Sequence, residues 1–121
     1  MSTFKQEKTL EERKAETEKI RKKYDDRFPI IVERSPRTDL PEIEKKKYLV
    51  PGDITVAQFM LTAIRKNLKL TSEKALFLFV KDNIIPQTSA QIKEVYDEHK
   101  DEDGFLYITY AGENTFGCPN I

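Results

Sequence analysis

Cys118 and His99 are the only cysteine and the only histidine in the 121 residues, and so the only candidates for a nucleophile and its base. A working thiolate needs that base at hydrogen-bond distance and a third group to hold it there. Cys118 falls in a glycine- and proline-containing tail that fixes no geometry. His99, on the apolar side of a helix end, fits a packing or capping role. No enzyme activity is expected. One cysteine cannot close an internal disulfide, and with a single histidine it cannot build a Cys/His zinc cluster. Cys118-Pro119-Asn120-Ile121 has the outline of a C-terminal prenylation box, with proline and asparagine as poor choices at its two aliphatic positions. A prenylated adaptor is therefore one reading of the tail.

The other chemistry in the chain is recognition through backbone. Lys45 to Pro51, KKKYLVP, reads as a short β-strand. Side chains alternate along a strand, so Lys47 and Leu49 point one way and Tyr48 and Val50 the other. Pro51 cannot donate a ladder hydrogen bond and belongs at a strand end or a sheet edge. A basic run that is apolar on both faces and ends in proline is expected at an edge, where an extended peptide could add a strand. An ordinary edge strand whose lysines discourage aggregation fits these residues equally well.

Bulk composition limits the possible partners. Lys plus Arg equals Asp plus Glu at 21 each, so no net field draws the chain to nucleic acid. Charged residues make up 35% of it and mean hydropathy is negative, which describes one domain with a modest core and a polar exterior. No run of 18 apolar residues exists to span a bilayer. MSTFKQEKTLEE lacks the apolar segment of a secretory signal, so a cytoplasmic location is expected.

Local elements along the chain must position these residues. Thr9-Leu10-Glu11-Glu12 is a capping box opening a largely polar helix to about Tyr24, with Leu10, Ile20 and Tyr24 as its apolar points. So poor an apolar face suits an appendage on the outside of a domain. Residues before Lys8 could add a short turn of helix. Phe28 to Glu33 reads as a buried strand and Ser35 to Pro41 as a loop. Gly52-Asp53 turns the chain after KKKYLVP. Thr55 to Gln58 is a second capping box, opening a helix to about Asn67 whose Val56, Phe59, Met60, Ala63 and Ile64 form a core-facing stripe. Ala75 to Val80 is a continuous apolar strand, expected to be buried on both faces. Lys81-Asp82-Asn83 turns toward a brief pairing at Ile84-Ile85. Thr88 or Ser89 should cap a short helix carrying Ile92, Val95, Tyr96 and His99 on one face. Asp101 to Gly104 is a turn, and Phe105 to Tyr110 the last strand.

The order, helix and then β-β-α-β-α-β, predicts an α+β fold with helices on one sheet face, a ubiquitin-like β-grasp carrying an N-terminal helical extension. The expected divisions are residues 1–26 for the extension, 27–110 for the β-grasp and 111–121 for a flexible tail.

Several motifs in one order carry a more specific resemblance: EKIRKKY (Glu18 to Tyr24), KKKYLVP, DITVAQF (Asp53 to Phe59), DEDGFLYITY (Asp101 to Tyr110) and GENTFG (Gly112 to Gly117). Over nearly its whole length the chain resembles the autophagy-related ubiquitin-like modifiers, the family that includes the GABA-receptor-associated proteins. The resemblance implies trimming by a cysteine protease after Gly117, which removes Cys118 to Ile121. It implies transfer through activating-like and conjugating-like enzymes, then amide linkage to phosphatidylethanolamine on autophagosomal membranes. That lipid would be covalent, and no other cofactor and no metal is implied. It further implies a monomer that binds aromatic-x-x-aliphatic peptides of receptors and cargo adaptors. A ubiquitin-like binding domain that is never conjugated is the remaining alternative.

By the same resemblance the peptide's aromatic side chain would enter a first pocket formed by Glu16, Ile20, Pro29, Ile31, Lys47, Leu49 and Phe105. Its aliphatic side chain would enter a second, formed by Tyr48, Val50, Pro51, Ile54 and Phe59, with Leu61 or Thr62. Arg27, Lys45, Lys46 and Lys47 would attract acidic residues beside the motif. The chain departs from the family's pattern in three places. Phe59 to Arg65 is one residue longer than usual. Such an insertion rotates the later helical residues by about 100° or is absorbed as a π-bulge, and it puts the far wall of the second pocket in doubt. The turn from Lys81 to Pro86 is also one residue longer. Asn67 stands where a basic residue is usual.

Overall fold

The computed structural model describes residues 3–38, 40–70, 75–81 and 84–112. Gly117, Cys118 and the rest of the expected tail from residue 113, together with Asp82 and Asn83 of the expected turn, lie outside the described residues.

Two helices lead the chain, α1 (Thr3–Glu7) and α2 (Leu10–Lys23). The box at the start of α2 forms as its sequence requires: Glu12 N–H donates to Thr9 Oγ1 at 3.2 Å and Thr9 N–H to Glu12 Oε1 at 2.8 Å. What α2 buries differs from expectation. Its buried residues are Arg13 and Thr17, not the apolar points Leu10, Ile20 and Tyr24. The helix is held by polar groups that find partners, which no count of apolar residues could show.

Strands β1 (Arg27–Arg34), β2 (Lys47–Pro51), β3 (Phe77–Val80) and β4 (Leu106–Ala111) form one sheet in the order β2-β1-β4-β3. β1 runs antiparallel to β2 and parallel to β4, and β3 is antiparallel to β4. Pro29 is tolerated in a central strand because β4 pairs only from Ile30 onward, leaving its missing N–H outside that ladder. β2 is an outer strand, as expected, although it begins at Lys47; Lys45 and Lys46 precede it.

The register assigns the side chains to faces. Phe28, Ile30, Val32, Tyr48, Val50, Leu78, Val80, Ile108 and Tyr110 join the main core. Over that face lie α3 (Val56–Phe59), which continues as a π-helical segment Met60–Arg65 into α4 (Lys66–Leu68), and α5 (Ile92–His99). The expected stripe holds, with Val56, Phe59, Ala63 and Ile64 buried and Met60 packed at its margin. On the opposite face Ile31 and Phe105 cluster with Phe4 of α1. Helices therefore cover both faces, and the expectation of one covered face is corrected. Without α1 and α2, the apolar residues that β1 turns away from the main core would stand in water.

Three boundaries also move. α5 is preceded by Gln91 rather than capped by Thr88 or Ser89, and Glu94 accepts from Gln91 N–H at 3.0 Å. Thr88 instead offers its carbonyl to Ala57 N–H at 3.0 Å. The apolar run at Ala75 yields a strand only from Phe77, and as an edge strand it leaves Phe77 half-buried. Finally, the packed body passes Tyr110. Ala111 pairs with Phe77 and is fully buried, and Gly112 N–H donates to Thr38 Oγ1 at 3.0 Å.

α2 is fastened to the turn before β4. Asp103, 1% exposed, accepts from Arg13 at 2.6 Å, from Tyr107 Oη at 2.6 Å and from Phe105 N–H at 2.8 Å. Its carbonyl accepts from Thr17 Oγ1 at 2.5 Å. Gly104, at φ +93°, completes the turn; a Cβ there would collide with the Thr17 side chain. Asp103→Ala strands a buried guanidinium and a phenol, and is expected to lower unfolding free energy by about 3–5 kcal/mol in chemical denaturation.

Candidate functional site

The outer edge of β2 is the centre of the site because its alternating side chains reach two separate apolar regions. Leu49 and Lys47 lie beside Pro29 and Ile31, their partners on β1, on the face that α1 and α2 cover. Tyr48 and Val50 turn into the main core.

Around the first region the structure brings together most of the residues named from sequence. Pro29, Ile31 and Phe105 are buried and form the floor, while Leu49 and Ile20 are half-buried above it. Glu16 of α2 pairs with Lys47 of β2, and Lys8 lies 3.5 Å from Glu16. Ile20, four residues after Glu16, shares its side of α2. Sequence reasoning missed Phe4. Its ring meets that of Phe105 edge-on at 5.2 Å, and Lys47 Nζ stands 5.6 Å from its centroid. Phe4 N–H donates to Glu33 at 3.0 Å, and Lys5 pairs with Asp101 at 2.7 Å. A lone aromatic in a polar N-terminal segment carries no periodicity that would mark it as core.

In the second region Tyr48, Val50 and Phe59 are buried, and Pro51 and Ile54 half-buried. The Tyr48 and Phe59 rings pack nearly perpendicular, 5.5 Å apart. Burial pushes the Tyr48 phenol above its ordinary pKa, partly offset by a hydrogen bond from Asn67. Neither residue expected to close the far side is folded into the core: Leu61 is 62% exposed, and Thr62 is exposed with its hydroxyl on the Gln58 carbonyl at 2.7 Å.

The cations frame β2 at both ends. Arg27 is the partner of Pro51, and Lys45 and Lys46 precede Lys47. Lys45 Nζ stands 5.0 Å from the centroid of the Tyr48 ring, which fixes its position at the mouth of the second region.

His99 ends α5 with its side chain 14% exposed and Nε2 3.6 Å from Glu98. Among the described residues no group of three or more His, Cys, Asp or Glu is placed to hold a metal. None of the described helices is long and apolar enough to cross a membrane.

A β-grasp sheet flanked by two N-terminal helices, with an edge strand between two apolar regions, defines the class of ubiquitin-like folds. The family model described as "Autophagy protein Atg8 ubiquitin like" matches residues 12–117, and the chain belongs to that family. It is 60% identical over 116 residues to autophagy-related protein 8 of Mycosarcoma maydis, covering 96% of this chain and 97% of that one. To autophagy-related protein 8d of Arabidopsis thaliana it is 58% identical over 117 residues, covering 97% and 96%. The crystal structure of Trypanosoma brucei ATG8 superposes with a TM-score of 0.87 at 44% identity, covering 97% of this chain and 99% of that one. Plasmodium falciparum Atg8, solved in complex with a P. falciparum Atg3 peptide, superposes with a TM-score of 0.82 at 38% identity, covering 93% and 100%. The chain is thus a non-enzymatic ubiquitin-like modifier of autophagy.

The Lys5–Asp101 pair gives α1 a pH dependence. Burial disfavours ionised Asp101, but the Lys5 hydrogen bond, the Asp103 backbone N–H and the Lys5 and Arg13 charges outweigh it and hold the carboxyl below its ordinary 3.8. A carboxyl depressed on folding stabilises the protein above its unfolded pKa, and that contribution is lost as pH falls through the folded one. Asp101→Asn is therefore expected to be less stable than wild type at pH 7. The gap should close on acidification below about pH 4 in denaturation series run across pH.

Proposed function

We propose that the chain is attached to autophagosomal membranes through Gly117 and docks receptors and cargo adaptors along β2. A cysteine protease removes Cys118 to Ile121. The freed Gly117 carboxyl is activated by a ubiquitin-activating-like enzyme, carried as a thioester on a conjugating-like enzyme, and joined to the amino group of phosphatidylethanolamine. Glycine suits each narrow enzyme cleft because it has no Cβ. With Ala111 and Gly112 held in the body, residues 113–117 reach at most about 16–18 Å when fully extended. A lipid with two acyl chains anchors firmly where one would hold marginally. The protein is cytoplasmic before conjugation and membrane-bound after it.

The observation that carries the docking half is the edge position of β2 between two apolar regions. A peptide pairing with that edge alternates its own side chains, so an aromatic residue and an aliphatic one three positions on fall on opposite sides of it. The P. falciparum relative solved with an Atg3 peptide supports peptide docking as a property of this fold. Arg27, Lys45 and Lys46 favour acidic flanking residues, each exposed pair contributing no more than about 1 kcal/mol.

Two measurements test the two halves. Intact-mass analysis of protein recovered from starved cells should show loss of the last four residues and gain of a diacyl lipid. Gly117→Ala should abolish the lipid, and Cys118→Ser should leave cleavage intact; persistence of the full-length mass, or a prenyl group on Cys118, defeats the conjugation reading. In calorimetric titration a peptide with Trp and, three residues on, Leu should bind at micromolar affinity, about −8 kcal/mol. Leu49→Asp should weaken it at least tenfold, roughly the cost of a charge in an apolar contact.

A further inference from the structure

The one-residue excess between Phe59 and Arg65 is taken up as the π-helical segment Met60–Arg65. A π turn displaces the backbone pairing around it, and such insertions are commonly found at functional sites. Asn67 lies in the short α-helix that follows it. Asn67 Nδ2 donates to the Ala63 carbonyl at 2.5 Å and to the Tyr48 hydroxyl at 3.0 Å. A primary amide has two N–H groups, and both are used. One bond joins the Lys66 N–H on the Ala63 carbonyl of the π segment, while the other crosses to β2. Because the π segment absorbs the added residue, the helix beyond it keeps its facing, and Asn67 is directed at Tyr48.

Tyr48 is the side chain this bridge controls. It is 6% exposed, so its hydroxyl needs a partner. Phe59 packs against its ring and Lys45 lies over it, while Asn67 meets its hydroxyl from the helix. Ala63 on the helix side is small and buried, and Leu61 is exposed.

Resting on the peptide-docking reading above, we infer that Asn67 is a positioning residue for the second pocket. By tying Tyr48 to the π-widened helix it holds the pocket at a width that admits a branched aliphatic side chain and rejects an aromatic one.

The test is titration of wild type, Asn67→Leu, Tyr48→Phe and the double variant with two peptides that differ only in the last motif residue, Leu or Phe. Leu is nearly isosteric with Asn but can neither donate to nor accept from the Tyr48 hydroxyl. Wild type should prefer Leu, and Asn67→Leu should reduce that preference about three- to tenfold, the worth of one hydrogen bond. Tyr48→Phe should do the same, and the double variant should lose nothing more, because both remove one bond. A selectivity ratio unchanged in Asn67→Leu, additive losses in the double variant, or no Leu preference in wild type overturns the inference and leaves docking intact. If wild type binds neither peptide, the docking reading fails and the inference with it. Thermal unfolding of each variant separates a change in selectivity from loss of fold, since a merely structural asparagine would move melting temperature and leave the ratio alone.

Discussion

Asp103 is a carboxylate with almost no access to water, and the N-terminal half of the site depends on its being satisfied. Taking such a charge out of solvent costs several kcal/mol unless an opposite charge and well-aimed donors meet it. Arg13 supplies the charge, and Tyr107 and the Phe105 N–H supply the donors. These groups come from α2, from β4 and from the turn before β4. Satisfying one anion therefore sets the position of a helix that has little apolar surface of its own. Phe105 and Ile31 are covered as a result, and α2 is held where Glu16 meets Lys47 across the first apolar region.

The sheet then has two unequal cores. The larger lies under the π-containing helix and α5; the smaller lies under α1 and α2. Because β2 is at the rim of both, a five-residue strand addresses two environments with alternate side chains. A central strand could do the same with its side chains, but its backbone would already be paired. Only an edge combines open ladder groups with access to both cores. Pro51 ends the strand, and cations stand at both of its ends.

Family membership and departure from the family's spacing are compatible because a helix can absorb an added residue locally. The residues before Met60 and after Arg65 keep their burial: Phe59 is fully buried and Leu68 nearly so. The disturbance is confined to the turn between them, where Leu61 is left exposed. Beside β3, Val80 and Ile84 exchange backbone hydrogen bonds at 2.7 and 3.0 Å.

What the sequence determined by itself was local. The capping boxes at Thr9 and Thr55, the helical stripe from Val56 to Ile64, the strand periods and the edge character of KKKYLVP each depend on residues within a few positions of one another. Their physics is complete in a short stretch of chain, and so the order of elements and the β-grasp were legible. The motifs spread along the chain added the family, and with it a set of residues expected to line the peptide pockets. Tertiary structure decided what rests on distant partners. Arg13 and Asp103 are 90 positions apart, and nothing near either marks it for burial. Phe4 became core only because Phe105 and Ile31 were left uncovered, and the N-cap of α5 fell at Gln91 once Thr88 was engaged by Ala57. Ala111 and Gly112 joined the body because β3 and Thr38 offered them hydrogen-bonding partners. A buried polar group is stable only beside its complement, and which complement arrives is settled by how the chain packs.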